Sequence, residues 1–199
     1  EGAEIIHDLN QEISKDYAEK FDYIYDGGSL EHIFNVPQAL KNFHNLLKPN
    51  GIIMHFLPCN NYVDHGFYSF NPTLFKDYYE RNNYKILKIY IVKQGIDKNK
   101  DEWIIYNYDR ELVTNHIRWN WGKNKIMVWV VVKKKESSTT YLAPTQFRYQ
   151  NRKKNNNEGK RNDKNNLKRS LVEVIKLFYY HCIFKYINQR KKPKVVFKC

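Results

Sequence analysis

Apolar positions change spacing along the first two thirds of the chain, and the changes predict its elements. Two short apolar runs, Tyr23–Tyr25 and Ile52–Leu57, mark strands, the first spanning Phe21–Tyr25. Between them Ala39, Leu40, Phe43, Leu46 and Leu47 recur at helical spacing. Pro37 suits the first turn of that helix, where its missing N–H costs nothing, and Lys48-Pro49-Asn50-Gly51 stops it. The result is a strand–helix–strand unit. Ile52–Leu57 is apolar but for His55, as in a strand covered on both faces. Asn71 and Pro72 read as the N-cap and first residue of a second helix, with Leu74, Phe75, Tyr78 and Tyr79 on its apolar side. Tyr84–Val92 is the next strand and Trp103–Tyr108 another, followed by a short helix over Asp109–His116. Ile117–Trp121 and Lys125–Lys133 are expected to pair as a hairpin across Gly122-Lys123-Asn124. Upstream, Glu4-Ile5-Ile6 reads as a strand end leading into the loop His7–Asn10, and residues 12–20 as a short polar helix. The order of elements predicts an α/β fold of mixed strand direction.

The last third differs in kind. Residues 1–132 carry 15 Lys/Arg against 17 Asp/Glu, a balance of −2, whereas residues 133–199 carry 19 against 4, a balance of +15. The whole excess of +13 therefore belongs to an appendage on an ordinary domain. Residues 136–166 read as a basic low-complexity linker, and 150–166 contain no apolar side chain, so disorder is expected there. From 167 to 199 the apolar residues Leu167, Leu171, Val174, Ile175, Phe178, Ile183 and Ile187 follow helical periodicity among Lys and Arg. A basic amphipathic helix is expected, with an anionic membrane surface or a nucleic acid as alternative partners for this tail. No apolar run approaches the roughly 20 residues needed to cross a bilayer. Cys59, Cys182 and Cys199 are few and scattered, which argues against a disulfide framework and for a reducing, cytoplasmic setting.

Candidate chemistry gathers in the loops that follow the strands, because parallel sheets bind ligands beyond the carboxyl ends of their strands. These loops span residues 7–10, 26–32 and 58–70. Asp26 is followed by Gly27-Gly28, which lets backbone approach a ligand closely. No phosphate-binding glycine loop is present. The seven histidines show no metal-ligand spacing, and no metal site is expected. His55 lies in a buried strand and reads as a hydrogen-bonded core histidine.

Two motifs extend this reading. Phe21-Asp22-x-Ile24-x-Asp26-x-x-x-Leu30-Glu31-His32, followed by Leu46-Leu47-Lys48-Pro49-x-Gly51, resembles the second half of class I S-adenosylmethionine-dependent methyltransferases. Ile6-His7-Asp8-Leu9-Asn10 and Pro58-x-Asn60-Asn61-x-x-x-His65-Gly66-Phe67-Tyr68 resemble a bacterial subgroup associated with glycan biosynthesis. The resemblance covers residues 4–135 and implies a partial Rossmann-like sheet, mainly parallel with a C-terminal antiparallel hairpin, in a domain spanning 1–135. It implies S-adenosylmethionine as cofactor and a small-molecule or sugar acceptor. It also implies a fragment: the family's glycine-rich loop and ribose-binding acid are expected upstream of residue 1. By position, Asp8 and Leu9 would touch the adenine, the backbone of Asp26, Gly27 and Gly28 would receive the methionine ammonium, and Leu30 would pack near the adenosine. His32, with Asn60, Asn61, His65 and Tyr68, would face the methyl acceptor, and His32 or His65 would serve as general base, since imidazole titrates near neutral pH. Two other functions fit the same residues: a non-catalytic methyltransferase-like binding protein, and an RNA methyltransferase steered by the tail.

Overall fold

The computed structural model describes residues 5–95, 103–110 and 121–150. Its framework is a five-stranded sheet in the order β1-β2-β5-β3-β4, built from β1 (Phe21–Asp26), β2 (Leu47–Asn60), β3 (Lys85–Lys93), β4 (Ile104–Asn107) and β5 (Ile126–Lys133). Helix α1 (Val36–Leu46) links β1 to β2, and α2 (Pro72–Arg81) links β2 to β3. Both helices start as their residues dictate. The Asn35 side chain accepts from the Gln38 N–H ahead of Pro37, and the Asn71 side chain accepts from the Thr73 N–H ahead of Leu74.

Strand direction differs from the sequence expectation. Of the pairings in this sheet only β1–β2 is parallel; β2–β5, β5–β3 and β3–β4 are antiparallel, so the sheet is mixed and not mainly parallel. β5 is not an outer hairpin strand but the centre of the sheet. Its composition suits that place: Ile126-Met-Val-Trp-Val-Val-Val132 is apolar without a break, as in a strand covered on both faces. Its expected hairpin partner, 117–121, falls almost wholly outside the described residues, as does the 109–116 helix beyond Arg110. Ile5 and Ile6 form no strand, and Ile6 is exposed; no described strand offers their N–H and C=O groups a ladder. The polar stretch after them makes only a 3-10 turn, Lys15–Tyr17.

Both helices cover the same face. Ala39, Leu40 and Phe43 of α1, Phe75, Tyr78 and Tyr79 of α2, and Ile53, Leu57, Val128, Val130 and Val132 of the sheet form one core. The opposite face carries a smaller cluster of Tyr90, Val92, Ile105 and Met127, with Phe56, Trp103 and Trp129 packed against it. At the β1 end that face is open, with Tyr23 and Tyr25 exposed.

Two buried polar side chains hold the outer segments to this core. Asn42 satisfies all four of its positions: Oδ1 accepts from Ile13 N–H and the Gln38 amide, while Nδ2 donates to the Leu9 and Gln11 carbonyls. It thereby pins the 9–13 segment to α1. The Lys134 ammonium donates to the carbonyls of His44 and Leu47 and to Glu19, placing a cation on the orphan carbonyls at the end of α1. Residues 136–150, expected as linker, are instead anchored to the end of α2: Thr139 N–H donates to the Asn82 carbonyl and Phe147 N–H to the Asp77 carboxylate. Residues 151–199, including the amphipathic segment, lie outside the described residues. No helix among the described residues is long and apolar enough to cross a membrane.

Burial, reinforced by the nearby Lys134 ammonium, pushes the His44 imidazole down to about 4, and its Nδ1 meets the Tyr84 hydroxyl. The unfolded chain therefore takes up this proton first as pH falls, and stability declines from about pH 6.5 to about pH 4. Urea unfolding across that range should show this decline, and His44→Gln should flatten part of it.

Candidate active site

The carboxyl ends of the parallel pair β1 and β2 open into the loops 27–35 and 61–71, and these two loops meet. After β1, Asp26 turns the chain: its buried carboxylate accepts the N–H groups of Ser29 and Leu30 through Oδ1. That turn continues as a 3-10 helix, Leu30–His32. Gly28 takes φ +95, a conformation that favours glycine, and a Cβ there would stand 3.2 Å from Glu31 Oε1. A Cβ on Gly27 would strike the Tyr25 ring at 2.6 Å.

The second loop is strapped onto this turn. Tyr68 N–H donates to the Glu31 carbonyl, and the Tyr68 hydroxyl donates to the Phe34 carbonyl. Gly66 lies against the Glu31 carbonyl, so closely that a Cβ would come within 2.7 Å of it and 3.1 Å of His32 Nδ1. This contact brings His65 beside His32, with ring centroids 5.2 Å apart. Between them sits Glu31. Its side chain is 1% exposed, while those of His32 and His65 are 49% and 47% exposed. His32 Nε2 lies 3.8 Å and His65 Nε2 3.5 Å from Glu31 Oε1. Tyr62 flanks His65 with ring centroids 5.3 Å apart, donates its hydroxyl to Gln94, and lies under the Lys125 ammonium. Burial first, and then the negative charge of Glu31, raise the Tyr62 hydroxyl above its ordinary range. An exposed aromatic rim surrounds the cluster, with Phe34 and Phe67 in edge-to-face contact.

The residues singled out in the sequence are distributed unevenly over this geometry. His32 and His65 come together. Asn60 is exposed at the end of β2. The Asn61 amide is committed to the carbonyls of Gly122 and Asn124, so it ties the loop to the β5 turn. Asp8 is exposed, and hydrogen bonds from the Asn10 backbone N–H and side-chain amide hold its carboxyl below the usual carboxylate range. Leu9 packs against the core while Asn10 accepts from Asn35 N–H, which sets this segment beside the 30–35 turn. Leu30 is fully enclosed in the core and its N–H is taken by Asp26, so it offers a ligand no accessible surface, against the expectation that it packs near the adenosine. His55 is buried with both ring nitrogens engaged, as a core histidine should be. Burial pushes the Cys59 thiol up to about 11, which keeps it protonated and unsuited to nucleophilic work. Glu31 and Tyr62 were not singled out as site residues. The adjacency of Glu31 to His32 was the available signal, and it reads equally well as a helix-start acid.

Residues 3–53 match the family model described as a methyltransferase domain. That match supports a methyltransferase domain of the S-adenosylmethionine-dependent class. It takes in the 7–10 loop, β1, the Glu31–His32 turn, α1 and the first half of β2, and stops short of His65. No curated protein matches the chain. A separate cleft of about 750 Å³, lined by residues that include Lys76, Glu80, Lys88, Arg110 and Phe147, lies against the first half of β3. It shares no residue with the cluster of Glu31, His32 and His65 at the carboxyl ends of β1 and β2.

Gly66→Ala should force a Cβ into the Glu31 carbonyl, backbone against side chain with no flexible group to yield. A loss of about 1–3 kcal/mol in urea unfolding, with faster proteolytic cleavage within 60–70, is expected.

Proposed function

We propose that this chain transfers a methyl group from S-adenosylmethionine to a hydroxyl of a small-molecule or sugar acceptor, at the edge where His32, His65 and Glu31 converge. The observation that carries the reading is this convergence. Two imidazoles from separate loops meet at the carboxyl end of the parallel strand pair, beside the segment that matches a methyltransferase domain.

When bound, S-adenosylmethionine supplies an electrophilic methyl group on a sulfonium. The glycine pair adds no side chain of its own over the exposed Gly27 backbone, which would suit the cofactor's ammonium beside the Tyr25 ring, while Asp8 and Leu9 would hold the adenine. The chain's own part is alignment and proton management. The exposed rings of Phe34, Phe67 and Tyr68 suit the apolar face of a sugar. The acceptor hydroxyl would lie against the imidazole pair, where its proton leaves toward His32 or His65 as the oxygen takes the methyl group.

Calorimetric titration with S-adenosylmethionine, combined with methyl-transfer assays on a panel of hydroxylated acceptors, tests the proposal. Saturable binding is expected. His32→Ala and His65→Ala should keep that binding and lower turnover by about 10²–10⁴-fold for at least one of the two. Absence of binding, or undiminished turnover in both variants, would contradict the reading.

A further inference from the structure

Two carboxylates lie within six residues of each other in the turn after β1, and both are buried. Asp26 is paired at both oxygens. Glu31 is not: its Oε2 is enclosed without a hydrogen-bond partner among the described residues. Burying a carboxylate without partners is strongly unfavourable, so this position calls for a positive group. No Lys or Arg among the described residues pairs with it. The other oxygen, Oε1, faces the Nε2 atoms of His32 and His65 at 3.8 and 3.5 Å, too long for good hydrogen bonds.

Those separations have another meaning. Ligand atoms bound about 2.0–2.2 Å from a tetrahedral ion stand roughly 3.3–3.6 Å apart, so the 3.5 Å His65–Glu31 separation already fits, while the half-exposed His32 ring at 3.8 Å would have to close in on the ion. One oxygen of Glu31 and one ring nitrogen from each histidine all lie within 4.8 Å of one another. Gly66, by lacking a Cβ, lets the second loop close on His32 and bring His65 into the group. The orphaned oxygen and the convergent nitrogens are independent observations, and both point to a cation.

We propose that Glu31, His32 and His65 hold a divalent first-row transition ion such as zinc, cobalt or manganese. Two imidazoles and one carboxylate favour such ions over magnesium and calcium, which prefer all-oxygen sites. Three protein ligands, two of them half-exposed, leave coordination positions open to an incoming group, the pattern of a catalytic and not a closed structural site. The ion also fastens the 61–71 loop to the 30–32 turn. With the ion bound, an acceptor hydroxyl that reaches an open position would be polarised and its proton would pass to solvent water, so the imidazoles would serve as ligands and the direct-base role given to them above would apply only to the metal-free protein. That use rests on the function proposed above; the binding of the ion does not.

The test is titration of chelator-stripped protein with Co²⁺, read by visible d–d absorption, with metal content checked by mass spectrometry. One ion per chain is expected with tetrahedral or five-coordinate absorption. Glu31→Gln and His65→Ala should each weaken binding by at least about 10–100-fold, while His7→Ala, an exposed histidine elsewhere, should bind like the wild type. His65→Ala lies on an exposed loop, and unfolding midpoints confirm that each variant is folded. Absence of Co²⁺ absorption, or binding unchanged in both Glu31→Gln and His65→Ala, overturns the proposal. Tight Co²⁺ binding lost in these variants, in a protein that transfers no methyl group, upholds the metal site and removes only its assigned use.

Discussion

The arrangement described above depends on one buried chain of hydrogen bonds, Asp26–His55–Tyr79. Asp26 Oδ2 lies 2.7 Å from His55 Nδ1, and His55 Nε2 lies 2.6 Å from the Tyr79 hydroxyl, with all three side chains buried. Burial keeps the Tyr79 hydroxyl protonated well above its ordinary range, so it donates to Nε2 and the ring proton on Nδ1 is left to face Asp26. The three residues come from β1, β2 and α2, and the remaining Asp26 oxygen organises the Ser29 and Leu30 amides. A single polar thread therefore fixes two strands, a helix and the turn that carries Glu31 and His32. Removing one member of such a buried pair costs about 3–5 kcal/mol, because the other is left uncompensated.

Seen against that thread, Glu31 is the exception. The fold spends three donors on Asp26 and leaves its neighbour in the same turn with an unpartnered oxygen. Native structures rarely bury polar atoms without partners, and where they do the site commonly has a function. The rigid half of the turn and the unsatisfied half are complementary: Asp26 locks the backbone so that Glu31 faces His65 across the loop junction sealed by Gly66. The aromatic rim and the open flank of the cluster then leave this edge accessible to a ligand.

Much of this was legible in the sequence, and the limits are physical. Helical spacing around Pro37 and the Asn71-Pro72 start are local signals, and both helices form where they predict. The position of β5 is not local. Its unbroken apolar run says that it is covered on both faces, but pairing with β2 and β3 joins residues more than 60 and 30 positions away, and composition does not encode register. His55 could be read as a core residue, yet its partners Asp26 and Tyr79 lie 29 and 24 positions off. The histidine spacing predicted no metal site because the grouping of Glu31 and His32 with His65 is made by the fold of two loops, not by a motif within one. Asn42, which anchors the 9–13 segment, looks in sequence like an ordinary polar helix position.

Amide hydrogen exchange at Ser29 and Leu30 tests most directly whether the buried thread governs the site. Both N–H groups donate to Asp26, that of Ser29 from an exposed turn and that of Leu30 from its enclosed end. They should be protected to the level of the β2 core, and Tyr79→Phe, a change on α2, should selectively release them. Exchange at open-loop rates in the wild type, or protection indifferent to Tyr79, would contradict the account.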